Sequence, residues 1–430
     1  MTDLFTSNMS IIEQRWPLFA SIIKINSGEH LDAQLVNGKT QTISVDGIQL
    51  SSRHNRVSEA KLLIDSLPKN ARNVAVYGIG MGDVPSFLID KNTIQHIKVY
   101  IFNLSIFNLL ICYTDQTEWL KNKKVELLEP VGLKRLEKYY LSSTSDLNLI
   151  DDKNATIRDL IVYDKNIDYV NGNHEKRLPE IIARFNSNLV YLKQDKDIAE
   201  LKQNYNKTKA FIIATGPTLE HHYDFLYKIQ KLKDSKKPLL IAVDTSLKAL
   251  MSRNIIPDIV VTLDYYINSA HFPENIPPSV SLVYFPTTSS DVIEKWQGIR
   301  FNAFTKGNKY SNQTLSKTEL FNSGSVVHPA IDLAVYMNIK DITLIGCDFC
   351  YPGNKTHAFW KDGALGVSLK FSKHHWVLNG NGIRVATELN FRAYLRSLEI
   401  YIASKPEVNF YQSSLEGAQI EGTTYKELTL

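Results

Sequence analysis

The sequence predicts an α/β protein of two Rossmann-like domains in series, closed by a helical C-terminal segment. Three observations predict it. Two separate stretches alternate short apolar runs with helical patterns, the signature of parallel sheets. A glycine turn follows the first strand of each stretch. A polar, Lys- and Asn-rich segment from about 165 to Lys209 parts them, where a domain boundary is expected.

The elements follow in order. Residues 1–195 form the first domain. It opens on helix and a small extended region to about residue 60. Val74–Tyr77 is then a short apolar strand, running into Gly78-Ile-Gly-Met-Gly-Asp83 and a helical stretch. Ile97–Phe102 is the next strand. The most apolar run, Val99–Tyr113, is interrupted by Asn103, Ser105 and Asn108. It is shorter than the roughly 20 residues that span a bilayer, so it reads as a strand leading into a helix. Residues 196–380 form the second domain, with strands at Ala210–Ala214, Pro238–Val243, Asp258–Leu263, Val280–Phe285 and Asp341–Ile345. In 381–430, Ala386–Ser404 reads as an amphipathic helix with Leu389, Tyr394, Leu395, Leu398 and Ile402 on one face.

Composition narrows the class. The 430 residues are too many for one typical domain, and 43% hydrophobic with 22% charged residues is ordinary for a soluble globular chain. A formal charge of +4 over this length gives no reason to expect nucleic-acid binding. No membrane insertion is expected. Three cysteines (Cys112, Cys347, Cys350) are too few for a disulfide framework and fit a reducing compartment. The N-terminus shows no secretion signal, so a cytoplasmic protein is expected. Cys347-Asp-Phe-Cys350 has redox spacing, but zinc would need further ligands, and the pair is expected to pack in the core.

The chemistry-bearing residues sit at strand ends. Ile213-Ala-Thr-Gly-Pro-Thr-Leu219 takes a strand into a helix. Gly216 allows close backbone approach, and Pro217 suits a first helical position whose amides could face an anion. The following strands end in Asp244-Thr245-Ser246 and in Asp264-Tyr265-Tyr266. Asn322-Ser-Gly-Ser-Val326 opens another helix, and the next strand ends in Gly346-Cys347-Asp348-Phe349. Ligands bind at the carboxyl ends of such strands. The plainer reading, a turn at Gly216 and a helix cap at each Asp, stays open at this level.

Together these pieces resemble the motility-associated factor (Maf) glycosyltransferases. The resemblance rests on Ile213–Leu219, Ala242–Leu250, Ile256–Asp264, Gly324-Ser325, Ile342–Asp348, Lys355-Thr-His-Ala358 and the tail Asn409–Ala418. It covers most of 205–425, with the motifs in order. It implies a modified GT-A catalytic domain similar to bacterial sialyltransferases. It also implies transfer of a pseudaminic- or legionaminic-type nonulosonic acid from its CMP-activated form to Ser and Thr hydroxyls of flagellin. On that resemblance Thr215, Gly216, Pro217, Thr218, Ser323, Gly324 and Ser325 line the donor site, with Asp244, Thr245 and Tyr351 beside them. Asp264 and Asp348 are candidate catalytic residues. Sialyltransferases place a tyrosine directly after the Phe matched by Phe349; here Cys350 stands there and Tyr351 follows. His357 is the first candidate for general base, with His374 and His375 as competitors. No Asp-x-Asp pair is seen, so no obligatory metal or other cofactor is expected.

The Gly78–Asp83 turn looks like the first motif of an S-adenosylmethionine-dependent methyltransferase. However, the next strand ends near neutral Asn103 where such enzymes carry an acidic residue. The first domain therefore reads as a scaffold. Two rival functions remain: a pterin diphosphokinase using ATP and Mg²⁺, which the C-terminal region also resembles, and a non-catalytic flagellin-binding chaperone.

Overall fold

The computed structural model describes residues 2–130, 132–133, 135–233, 236–306, 315–359 and 375–429, and the side chains of all of these but 167–176. The chain divides into two compact units, Met1–Lys165 and Asn166–Leu430. The division falls inside the helix Ala155–Lys176. The following helix, Leu178–Gln194, buries Ile181, Phe185, Asn188 and Leu192 along one face and belongs to the second unit. The Asn188 amide donates to the carbonyls of Pro286 and Thr288, both at 2.8 Å. In Leu178–Gln194 the polar composition describes the outer face of the helix.

In the first unit, β1 (Ala33–Val36), β2 (Thr42–Val45) and β3 (Ile48–Gln49) form a small antiparallel sheet. A parallel sheet follows, of β4 (Asn73–Tyr77), β5 (His96–Tyr100), β6 (Val125–Leu128) and β7 (Tyr140–Ser142), in the order β6-β5-β4-β7. The apolar run after β5 continues as the helix Leu104–Tyr113, capped by the Asn103 side chain. Among the described residues no helix is long and apolar enough to cross a membrane.

The second unit is built on β8 (Lys196–Asp197), β9 (Lys209–Ile213), β10 (Leu239–Val243), β11 (Ile259–Thr262), β12 (Ser281–Tyr284) and β13 (Arg300–Asn302). After the short pair β14 (Phe304–Thr305) and β15 (Glu319–Leu320) come β16 (Asp341–Ile345), the hairpin β17 (Trp376–Leu378) and β18 (Arg384–Ala386), then β19 (Asn409–Gln412) and β20 (Thr424–Tyr425). Nine of these strands form one parallel sheet, β20-β19-β16-β9-β10-β11-β12-β13-β8. Its central strands are apolar on both faces, as a sheet covered by helices on both sides requires. From β9 the order runs outward through β10 to β13 on one side and through β16, β19 and β20 on the other. The carboxyl ends of β9 and β16 thus mark the point where the strand order reverses, and there an open α/β sheet leaves a crevice.

The tail differs from its sequence reading. The helix begins at Leu389 rather than Ala386, because Arg384–Ala386 pairs with β17. Leu395, Leu398 and Ile402 are buried as predicted, but Leu389 is exposed. β19 and β20 complete the sheet, so the tail is helical only in part.

Candidate functional site

The turn after β9 and the turn after β16 are locked together. The Gly216 amide donates to the Gly346 carbonyl at 2.8 Å. The Thr218 amide donates to Asp348 Oδ2 at 2.9 Å, and its hydroxyl donates to Oδ1 at 2.5 Å. A Cβ on Gly216 would lie 2.4 Å from Asp348 Oδ2 and 2.5 Å from the Gly346 oxygen; one on Gly417 would lie 2.7 Å from Asp348 Oδ1. Asp348 is therefore a carboxylate held between two glycines, and burial pushes its pKa up to about 6 against the lowering pull of the Thr218 bonds.

This alters the expected use of the first turn. Pro217–His222 is a 3-10 turn, with the α-helix starting only at Tyr223. Pro217 has no N–H, the Leu219 amide bonds the Gly216 carbonyl, and the Gly216 and Thr218 amides are engaged as above. The turn that was expected to present amides to a phosphate presents them to Gly346 and Asp348 instead. Sequence could not reveal this, because the competing acceptors come from a strand 130 residues away. Gly216→Ala is expected to destabilise the second unit by about 1–3 kcal/mol through overlap with backbone as well as carboxylate. Thermal unfolding of the variant checks this; a Tm equal to that of the unsubstituted protein would refute the lock.

Thr215 carries the connection sideways. Its hydroxyl shares a 2.5 Å hydrogen bond with that of Thr245, at the tip of β10. Asp244 is buried; its Oδ1 accepts from the Thr245 amide at 2.7 Å and its Oδ2 from the Thr262 hydroxyl at 2.9 Å. Burial pushes the Asp244 pKa up to about 6, and the negative charge of Asp264 adds to the rise. Asp264 is exposed at the tip of β11 and accepts from the Tyr266 amide at 2.9 Å.

Asp264 also acts on Tyr394. That hydroxyl's pKa is raised first by burial, then by the charges of Glu388 and Asp264. The Tyr394 ring in turn covers Gly324, where a Cβ would meet it at 2.5 Å. Gly324 has φ +91°, a conformation glycine adopts without strain. The Ser323 and Ser397 hydroxyls are 2.9 Å apart, and Ser325 Oγ accepts from the Val327 amide at the start of the ten-residue helix Val327–Tyr336. Contacts thus join Asp348, Thr218, Gly216, Thr215, Thr245 and Asp244, a second set joins Tyr394, Gly324 and Ser323, and the charge of Asp264 reaches both Asp244 and Tyr394.

His357 lies on the same edge, because the Ala358 amide donates to the Thr215 carbonyl at 2.8 Å. Its Nδ1 is buried and has no hydrogen-bond partner among the described residues, and burial lowers its pKa. The imidazole is accordingly neutral near pH 7, the form a proton acceptor needs. The neighbouring Lys355 ammonium bonds Glu220 at 2.5 Å, fastening this loop to the turn after β9. His374 lies outside the described residues. The His375 carbonyl accepts from the Thr387 amide at 2.9 Å.

Tyr351 stands apart from the strand-tip contacts. It is buried, its ring packs on Phe391, and its hydroxyl is bound to Glu388. Cys347 and Cys350 are buried, their thiols pushed up by desolvation. Among the described residues no three His, Cys, Asp or Glu side chains gather as a metal-ligand set. Glu388, Glu220 and His328 escaped the sequence reading, because none lies inside a strand-tip motif, and Tyr394 was read there only as part of a helix's apolar face.

The glycine turn of the first unit is also internally satisfied. Asp146 accepts from the Ile79 and Gly80 amides at 3.1 Å and from the Ser143 hydroxyl at 2.6 Å. Asn103 accepts from the Ile106 amide and donates to the Leu149 carbonyl. Asp146→Ala is expected to cost about 2–4 kcal/mol, since two amides lose their acceptor. Chemical denaturation followed by tryptophan fluorescence measures it.

Comparison with known proteins finds two likenesses. Residues 183–354 match a family model described as 6-hydroxymethylpterin diphosphokinase MptE-like. No curated protein matches the chain significantly. The solved structure of MAf glycosyltransferase from Magnetospirillum magneticum AMB-1 aligns over 99% of this chain and 74% of its own, at 13% identity and a TM-score of 0.42, a likeness too loose to transfer residue roles. Over residues 183–354, then, this chain is similar to the MptE-like family.

Proposed function

We propose that the second unit is a glycosyltransferase that moves a nonulosonic acid from a CMP-activated donor to Ser and Thr hydroxyls of flagellin. The observation that carries the reading is the continuous set of contacts along the tips of β16, β9, β10 and β11. It joins residues from several of the motifs on which the resemblance to the Maf glycosyltransferases rests. The donor phosphate faces Gly324 and Ser325, at the start of a ten-residue helix whose dipole favours negative charge. The amides after β9 are already engaged, so Thr215 and Thr245 contribute hydroxyls only. His357 takes the acceptor proton as the acceptor oxygen attacks the anomeric carbon. The bond from that carbon to the phosphate oxygen breaks, and CMP leaves. Asp348 and Asp244 hold the turns in place, while exposed Asp264 faces substrate and stabilises positive charge at the anomeric centre.

A second reading is favoured by the description of the matching family model: diphosphate transfer from ATP to a hydroxymethylpterin. One experiment separates the two. The protein is incubated with CMP-nonulosonate and flagellin, and separately with ATP, Mg²⁺ and hydroxymethylpterin. Release of CMP with a mass gain on flagellin supports the proposal; release of AMP in the second mixture replaces it. Flagellin binding with neither release points to a chaperone.

A further inference from the structure

His328 is fully buried in the helix Val327–Tyr336, and neither the family resemblance nor the chemistry above uses it. Both its ring nitrogens are engaged. The Ser323 amide donates to Nδ1 at 3.1 Å, which makes Nδ1 an acceptor and places the ring proton on Nε2. Nε2 then donates to the Tyr394 carbonyl at 3.0 Å. One imidazole therefore bridges the Ser323–Ser325 turn to the helix Leu389–Ala403. Burial pushes its pKa down to about 4, so the bridge stays neutral in the working pH range.

The bridge closes a frame. At its far end, the Tyr401 hydroxyl donates to Asp332 Oδ1 at 2.5 Å, and the Phe321 amide donates to Asp332 Oδ2 at 2.6 Å. The rings of Phe321 and Tyr401 stack at 4.7 Å. At its near end, Tyr394 lies over Gly324 and the Ser323 and Ser397 hydroxyls pair. Asp332 fixes the spacing of the two helices, and His328 fixes the turn against Tyr394.

We infer that His328 is a positioning residue: it holds the Ser323-Gly324-Ser325 turn against Tyr394 and so sets the geometry in which the turn meets the donor nucleotide. The inference rests on the proposed nucleotide site, and its test separates the two. Hydrogen exchange of the Ser323 amide and CMP binding by calorimetry are measured for the full chain, for His328→Phe and for His328→Asn. Phe removes both bonds, whereas Asn keeps an acceptor near Nδ1. The expected result is at least tenfold faster Ser323 exchange and at least tenfold weaker CMP binding in the Phe variant, with both partly restored by Asn. In the transfer assay the donor KM should rise while kcat changes less. Unchanged Ser323 exchange in both variants overturns the positioning role, whatever CMP does. Faster exchange with no CMP binding by the unsubstituted protein leaves the bridge standing and removes the nucleotide reading. If the Phe variant does not fold, the Asn variant decides: wild-type donor KM alongside faster Ser323 exchange would overturn the inference.

Discussion

His357→Ala should reduce sugar transfer by about a hundred- to ten-thousandfold while CMP still binds, the range typical for loss of a positioned general base. The expectation follows from placement. The backbone beside His357 is tied to Thr215, its Nδ1 has no partner among the described residues, and burial lowers its pKa. The sign of the pH effect follows. A base acts in its neutral form, and a lowered pKa keeps it neutral to below the ordinary histidine value near 6.5. The rate should therefore hold as pH drops through 6.5 and fall only on the more acidic side. Steady-state transfer by wild type and variant across pH 5 to 8 tests both points. An alanine variant that turns over normally would remove His357 from the mechanism.

Asp348→Ala should lower stability by about 2–4 kcal/mol, because the Thr218 amide and hydroxyl lose a shared acceptor in a buried place. For a unit of this size that corresponds to a Tm lower by very roughly 5–10 °C. Asp348→Asn keeps one acceptor and should fall between. Its pH dependence has a definite sign. The folded-state pKa of about 6 lies above the ordinary carboxylate value, so ionising Asp348 costs the folded state stability as pH rises from about 4 to 6. Asparagine does not ionise, so the gap between Asn variant and wild type should narrow from pH 4 to pH 7. Half-buried His222 and buried His328 act oppositely in wild type. Both are pushed to about 4, so they weaken the fold as pH falls from 6.5 toward 4. Denaturation at pH 4, 5.5 and 7 measures the trend; a gap that widens with pH would contradict the assignment of Asp348 as a buried, strained anion.

The apolar strands β4, β5, β9, β10, β11, β12 and β16 were legible within a residue or two, since a strand buried on both faces must be a short apolar run. β13 and β19 were missed. Arg300-Phe-Asn302 and Asn409-Phe-Tyr-Gln412 carry polar side chains that find partners only in the fold. Asn302, for instance, is buried and donates to the Leu192 and Asp195 carbonyls. The helix Leu178–Gln194 was hidden by its polar outer face, which dominates composition when a helix buries only one stripe.

The sequence by itself determined the fold class, the two glycine turns and the strand-end positions of Thr215, Asp244, Asp264 and Asp348. Those depend on local pattern: apolar periodicity, and where glycine and proline interrupt it. Only the tertiary structure decided which strand tips are neighbours, and hence what each group does. Placing β16 beside β9 gives the Thr218 amide to Asp348 rather than to a ligand, and placing β7 beside β4 brings Asp146 into the same role in the first unit. A hydrogen bond is chosen by proximity, and proximity between residues 66 or 130 positions apart is a property of the strand order, which no local pattern encodes.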